Sequence, residues 1–540
     1  HSVELIRAAP EAPAKRSAPA AKAKHSWPKP RAGEAPPPRL LLCIVLDQLG
    51  SWVLERFAGE LDKDGLLRPM MQHGRYFLRA RYPYAGTYTA PGHASIYTGA
   101  PPKVHGVAGN VRWLDGEERT VAAVDDRKHA LWGLPDHFAS PRILQAETVA
   151  DVLHRQSGGA AHIVSLSMKA RAAVLPGGQH ADLALWYEPK LPGFTSSRFY
   201  AATPPAWLKQ WHRKHPATAW LKPWQPEAPK HYAALLGPDA QAGEGDVPGF
   251  DNHFPHPPPS GAQAAAALPS RPEGTTALLA LARQVRQTVP LGQDAIPDFL
   301  QISVSGTDYV GHIFGPASWE YLDHLRRVDR ALGAFVRRLR ARVPSLAVMV
   351  TADHGVTPLP ERSQKQGLPG RRVSSVAVAQ ALEAALTETL GEGPWVRGVS
   401  NPFLLLTAQA RKRSRAVRDI ATQLAQSTPG VHALTSASAP ARGLTPALRR
   451  AVDLSTPKRR RHDLFLVLAP HAVLMSRAHG TSHGSPWPPD QLVPVLIQAP
   501  GVRPKRVRPQ VGLLQVAATL SQLLQIEAPN HARTPALPLR

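Results

Sequence analysis

Three aspartates each follow a short apolar run: Asp47 after "LLLCIVL", Asp308 after "DFLQISVSGT" and Asp353 after "LAVMVTA". Two of them come with histidines, His312 four residues beyond Asp308 and His354 directly after Asp353; a further candidate, His483, sits in the Gly/Ser-rich "HGTSHGS". Carboxylate oxygens and imidazole nitrogens together suit zinc or a similar divalent ion. Six such ligands exceed what one tetrahedral ion takes and suit two. Paired ions about 3.5–4 Å apart clamp the attacking and leaving oxygens of a phosphoryl transfer. With 24 histidines in the chain, one Asp-x-x-x-His spacing arises easily by chance. The argument therefore rests on three aspartates at comparable places, not on any single spacing.

A second stretch, "TYTAPGHASIYTG" at 87–99, offers Thr89. A threonine hydroxyl is a poor nucleophile until its proton is taken. A metal ion beside Thr89 would lower that pKa, so that the oxygen attacks phosphorus and forms a phosphothreonine that is then hydrolysed. A turn at Pro91 and Gly92 followed by "HASIYTG" would put Thr89 at or near a helix N-terminus, where backbone N–H groups favour an anion. The commoner role of a threonine in such a setting is an ordinary helix cap.

These residues need a scaffold that brings them to one place. The segments 40–47, 161–169, 298–308 and 346–355 share one pattern, an apolar run ending in polar or charged residues, as strands buried on both faces do. Helical periodicity lies between them, most clearly in "SWEYLDHLRRVDRALGAFVRRLRARV" at 318–343. Alternating strands and helices predict an α/β fold, a doubly wound, mostly parallel sheet flanked by helices. Such sheets bind ligands beyond the carboxyl ends of their strands. "QLVPVLIQAPG" reads as another strand and "VGLLQVAATLSQLLQI" as a closing helix. Residues 1–38, rich in Ala, Pro, Lys and Arg, are expected to be a disordered basic leader. Residues 39–540 are expected to be a single catalytic domain, with cap insertions at about 190–290 and 400–470.

The 540 residues are 43% hydrophobic and 19% charged, enough for a large core. Net charge is +24, from 64 Lys+Arg against 40 Asp+Glu, which opens a polyanion-binding reading beside the blander one of a solvated basic surface. Cys43 is the one cysteine; it lies in an apolar run and is expected in the core. No apolar run approaches the roughly 18 residues that span a bilayer, so a soluble mature chain is expected.

Taken as a set, "VLDQLG", "TYTAPGHASIYTGAPPKVHGVAGN", "SLSMKARAAVLPGGQHADLALWY", "GFTSS", "SVSGTDYVGHIFGP", "TADHG" and "GTSHGS" resemble the alkaline phosphatase superfamily, most closely its PafA-type phosphate monoesterases. The resemblance runs in family order from about residue 40 to the C-terminus. It implies an alkaline-phosphatase-like fold and two zinc ions, one held by Asp308, His312 and His483, the other by Asp47, Asp353 and His354 with Thr89 beside it. Asn110 would hydrogen-bond a phosphoryl oxygen; on its own it reads as a turn residue. Lys169 and Arg171, two apart in a segment read as extended, would project to one side and bind the dianion of a monoester. "TAPG" superficially matches the sulfatase signature, but Thr89 stands where those enzymes carry an oxidisable Cys or Ser. His93 is read as structural.

The leading expectation is a two-zinc phosphomonoesterase acting on small phosphate esters through a phosphothreonine, with a phosphodiesterase or nucleotide pyrophosphatase on the same scaffold as the alternative. A non-catalytic polyanion binder is a third reading, disfavoured because binding polyanions needs no three Asp and three His at strand ends. No specific nucleic-acid partner is expected; weak association of the basic leader with polyanions or surfaces stays open. The resemblance further implies a periplasmic or secreted location, with any signal peptide already removed.

Overall fold

The structure, a computed structural model, describes Trp27 and residues 35–245 and 250–540; the expected leader over 1–38 lies almost wholly outside these residues. Ten strands form the main sheet: β1 (Leu40–Leu46), β2 (Arg75–Arg81), β3 (Ile163–Ser167), β4 (Leu183–Glu188), β5 (Gly193–Thr195), β6 (Asp298–Val304), β7 (Leu346–Thr351), β8 (Leu492–Gln498), β9 (Lys505–Val507) and β10 (Val511–Gly512). Their order is β9-β2-β8-β7-β1-β6-β3-β4-β5, with β10 also paired to β2. The run β7-β1-β6-β3-β4 is parallel throughout, while β8 runs antiparallel to both β7 and β2. The four strands read from their apolar runs are adjacent members of this parallel core. Every residue of β1, β6 and β7 is buried, because helices cover both faces. Cys43 is buried in β1.

Strand order positions the site. β1 lies between β6 and β7, in register from Leu46 against Val304 and from Val45 against Thr351, so three carboxyl ends finish side by side. Asp47 follows β1 immediately and Asp353 follows β7 by two residues. Asp308 is not at a strand end: it sits in the first turn of a helix, Gly306–Phe314 (here α3), that starts just after β6. Helical spacing then puts His312 one turn further along the same face.

The long amphipathic helix α4 (Trp319–Arg340) starts where Ser318 accepts a hydrogen bond from Tyr321 N, matching the expected segment to within a turn. The closing helix is Gln515–Leu524. Between β5 and β6 the chain makes five short or medium helices and irregular loops. Buried polar side chains satisfy its polar groups where no ladder does: Asp323 of α4 accepts from the Trp224 indole Nε1 at 2.7 Å and from the backbone Glu227 N at 2.8 Å, and Arg271 donates to the Lys222 carbonyl at 2.7 Å. Within the C-terminal half, Val396–Ser400, Phe403–Leu406, Leu464–Leu468 and Val431–Thr435 form a separate antiparallel sheet in that spatial order, with its own apolar cluster around Trp395 and Leu404. No helix among the described residues is long and apolar enough to cross a membrane.

Candidate active site

Thr89 is the first residue of a fully buried helix, α1 (Thr89–Thr98). The expected turn at Pro91 and Gly92 does not form; both lie inside the first turns of α1. Proline is tolerated there because the first N–H groups of a helix have no intrahelical partner. Tyr88 is the N-cap, in an extended conformation and without a side-chain cap bond, so Thr89 does not serve as a helix cap. Its Oγ1 instead stands 3.5 Å from His354 Nε2. One free N–H of this helix end, that of Ala90, donates to Asn110 Oδ1 at 2.9 Å. Asn110 is thereby locked to the first turn of α1, with its amide N–H₂ left to donate elsewhere.

The six predicted ligands converge. Two tight groups form, Asp47 with Asp353 and His354, and Asp308 with His354 and His483, each with ligand atoms mutually within 4.8 Å. The first is one of the sets the resemblance implies. In the second, His354 takes the place expected of His312, whose Nε2 nonetheless lies 3.1 Å from Asp308 Oδ1. His354 is thus common to both groups, its ring stacked on that of His483 with centroids 3.5 Å apart.

Orientation matters as much as proximity. His312, His354 and His483 each donate Nδ1–H to a backbone carbonyl, those of Thr481 at 2.7 Å, Gly355 at 2.9 Å and Thr87 at 2.7 Å. This fixes the tautomer and turns three bare Nε2 lone pairs toward the carboxylates, the arrangement metal-ligating histidines adopt. Burial pushes the His354 pKa down to about 3, so the ring stays neutral. Asp47 Oδ1 and Asp353 Oδ2 are buried without a hydrogen-bond partner. Burial, with Asp308 and Asp353 close by, holds the Asp47 carboxyl well above its usual range. Burial would raise Asp308 too, but His312 and Lys169 outweigh it and hold that carboxyl well down. Three buried carboxylates, two of them with an orphaned oxygen, facing three imidazole Nε2 atoms and a single ammonium, fit a pair of divalent cations.

Lys169 supplies that ammonium, 2.6 Å from Asp47 Oδ2 and 2.5 Å from Asp308 Oδ2. The extended segment expected around it is not present. Lys169 is the N-cap of a helix, Ala170–Gly177 (here α2), and Arg171 lies in the first turn. Lys169 still reaches the site because this helix end packs beside it, and Arg171, near enough for its charge to act on Lys169, has an Nε with no acceptor of its own.

Two residues were not legible as part of the site. Gln48, in the left-handed region at φ 72°, donates its backbone N–H to Asp353 Oδ1 at 3.2 Å and its side-chain amide to Asp308 Oδ1 at 2.8 Å, bridging the two groups. Only its position directly after Asp47 could have pointed to it. His93, read as structural, donates Nδ1–H to the Thr89 carbonyl at 2.9 Å, stands 3.2 Å from Asp353 Oδ2 and contacts Ser303 Oγ at 2.9 Å, tying α1 to β6 and to a candidate ligand.

The sequence pattern of the type I phosphodiesterase/nucleotide pyrophosphatase family matches residues 41–486. The chain belongs to that family. It is 28% identical over 512 residues to alkaline phosphatase PhoV of Synechococcus elongatus, covering 91% of each chain. It is 27% identical over 519 residues to alkaline phosphatase PafA of Elizabethkingia meningoseptica, covering 93% of this chain and 94% of that one. The crystal structure of PafA superposes with a TM-score of 0.86 at 25% identity, over 94% of this chain and 99% of PafA. This family member therefore has the PafA-like fold of the alkaline phosphatase superfamily.

Proposed function

We propose that this hydrolase of the phosphatase class is a two-zinc phosphate monoesterase acting through Thr89. The observation that carries the reading is Thr89 Oγ1 at a helix N-terminus, 3.5 Å from the one histidine shared by two groups of buried carboxylates and imidazoles. Asp308, His312 and His483 would hold one cation, and Asp47, Asp353 and His354 the other. Bound there, the cations would lower the pKa of the Thr89 hydroxyl and offset charge on the phosphoryl oxygens.

The chain's own residues then do the following. Thr89 Oγ1 forms a bond to phosphorus as the bond to the leaving oxygen breaks in line, the threonine proton going to solvent. The product is phosphothreonine. Water attacks its phosphorus from the vacated side and the Thr89–phosphorus bond breaks, releasing phosphate. Asn110 donates its amide N–H to a phosphoryl oxygen while Oδ1 stays on Ala90 N. Lys169 and Arg171 place two positive charges beside a dianion, which a diester, with one charge less, would use less well. The segments at about 190–290 and 400–470 would shape the cleft walls.

Support for the residue roles comes from a solved PafA variant substituted at a threonine, an asparagine, a lysine and an arginine, with the spacings seen between Thr89 and Asn110 and between Lys169 and Arg171. Membership of a phosphodiesterase-named family favours diester hydrolysis as the second reading. A periplasmic or secreted location, which the family resemblance implies, belongs to the same reading.

The test is hydrolysis of an aryl phosphate monoester and its matched diester by zinc-loaded protein, with chelated protein and Thr89→Ala as controls. A much faster monoester rate, lost in both controls, is expected. A diester preference, indifferent to Lys169→Ala and Arg171→Ala, would replace this reading with the second.

A further inference from the structure

A small open cleft of about 30 Å³ lies beside the segment that carries Asn110, outside the machinery described above. Gly109 and Val111, the chain neighbours of Asn110, line it, together with Arg112, Trp113, Arg459 and Arg460. Three guanidinium groups on one small concavity repel one another unless counter-charge is supplied.

The counter-charge in place is limited and shared. Arg460, 6% exposed, lies 3.3 Å from Asp463 and 3.6 Å from Asp115. Asp463 also pairs with Arg411 at 2.8 Å, and Asp115 with Arg397 at 3.2 Å. Arg112 donates to the Asp125 carbonyl at 2.6 Å, and its Nε has no acceptor. The Arg459 guanidinium, exposed at the mouth of the cleft, makes no hydrogen bond and no close ion pair among the described residues; partial desolvation and the charges of Arg460 and Arg112 push its pKa down against the opposing pull of Asp115. Trp113 is 8% exposed, and its indole N–H, a donor with no other use, is also without an acceptor. Leaving buried donors unpaired costs free energy, and native proteins rarely do so without a ligand or water to answer them. The missing component is an acceptor-rich anion. Arginine forks match tetrahedral oxyanions bidentately, and Val107 and Phe403 give the same cleft an apolar wall for a carbon skeleton.

We propose that this cleft binds a phosphate group, with Arg459 as its principal free cation and Arg112 and Arg460 as its flanks. Two sources share that chemistry: a second phosphoryl group on the substrate whose reacting phosphate is held at Asn110, or free inorganic phosphate. The substrate source rests on the phosphatase reading; the binding itself does not.

Two arms test this on the zinc-loaded full chain. The first compares kcat/KM for α,ω-alkanediol bisphosphates of increasing length with the matched monophosphates, in wild type, Arg459→Ala and Arg459→Lys. The second measures the stoichiometry of inorganic phosphate binding by calorimetry in the same proteins. Arg459→Ala should leave the aryl phosphate rate unchanged and lower phosphate stoichiometry by one site, with partial recovery in Arg459→Lys. If the substrate supplies the group, wild type prefers the bisphosphate of suitable length by about tenfold, the scale of one charge-assisted hydrogen bond, and the variant loses that preference. Loss of a phosphate site without any such preference assigns the cleft to free phosphate. Unchanged stoichiometry together with unchanged substrate preference in Arg459→Ala overturns the proposal. Absence of turnover with every substrate overturns the phosphatase reading instead, and the binding arm still decides the cleft.

Discussion

Replacing Gly92 with alanine isolates the contact that sets the proposed nucleophile against the candidate metal site. Gly92 lies in the first turns of α1, and a Cβ there would fall 2.1 Å from the Asp353 carbonyl oxygen and 2.8 Å from Asp353 Cβ. Ordinary contact begins at 3.4 Å, so helix and loop must part by about 1.3 Å. The nearest atom is backbone, which cannot swing aside as a side-chain tip can. Both partners matter, since Asp353 is a candidate ligand and Thr89 stands three residues before Gly92. A misplacement of about 1 Å costs roughly a hundredfold in rate, or about 2.7 kcal/mol of barrier. Alanine would otherwise favour a helix by ~1 kcal/mol over glycine. Overpacking costs ~1–3 kcal/mol, so the stability change is expected to be a net loss of up to about 2 kcal/mol while activity falls by far more. Steady-state kinetics with an aryl phosphate and urea denaturation would be measured on Gly92→Ala beside Gly59→Ala, where nothing lies within 4 Å of the added carbon. Wild-type kcat in Gly92→Ala would refute the claim that close approach of α1 to Asp353 positions the nucleophile.

Gln48→Gly keeps the left-handed backbone and the N–H to Asp353 but removes the amide bridge to Asp308. Metal affinity should fall about 10–100-fold, as on loss of a ligand-orienting hydrogen bond, with little change in melting temperature; equilibrium dialysis against zinc reads this directly. Chelation should destabilise the fold as well as stop turnover, because it leaves buried carboxylates facing one lysine, and added zinc should restore both. His105, buried beneath α1 where it meets Ser95 Oγ at 3.1 Å, has its pKa pushed down to about 3 by burial. Its folded-state value lies below the unfolded one, so the unfolded chain binds the extra proton and stability is lost as pH falls from about 6.5 toward 3. The slope is up to about 1.4 kcal/mol per pH unit. Relative to His105→Gln, wild-type urea midpoints should drop progressively across that window; parallel midpoints would show that the ring is not held neutral.

The residue types of the site and the parallel strands that carry them were legible because both are written locally. Apolar runs of strand length mark β1, β6 and β7, with an aspartate within four residues of each carboxyl end, and the i, i+4 spacing of Asp308 and His312 is that of one helix face. Burial of an apolar run and the period of a helix depend on neighbours a few residues away. The sequence alone also supplied Thr89, since its motif needs no knowledge of what lies opposite.

Other features depended on which distant segments become neighbours. Nothing local states that β1 lies between β6 and β7, yet that order is what gathers three aspartates. It also decides that His354 faces both ligand groups and that the ammonium of Lys169 reaches Asp47 and Asp308. The reading of Lys169 and Arg171 as an extended pair failed because a helix N-terminus can present two residues to one place as a strand does, and local pattern did not tell them apart. Gln48, His93 and Gly92 act through backbone conformation or contact across 210 to 305 positions of chain, from His93–Ser303 to Gln48–Asp353. Local periodicity carries no information at that range: which face a residue buries is a short-range property, and which partner it meets there is settled only when the sheet closes in one order.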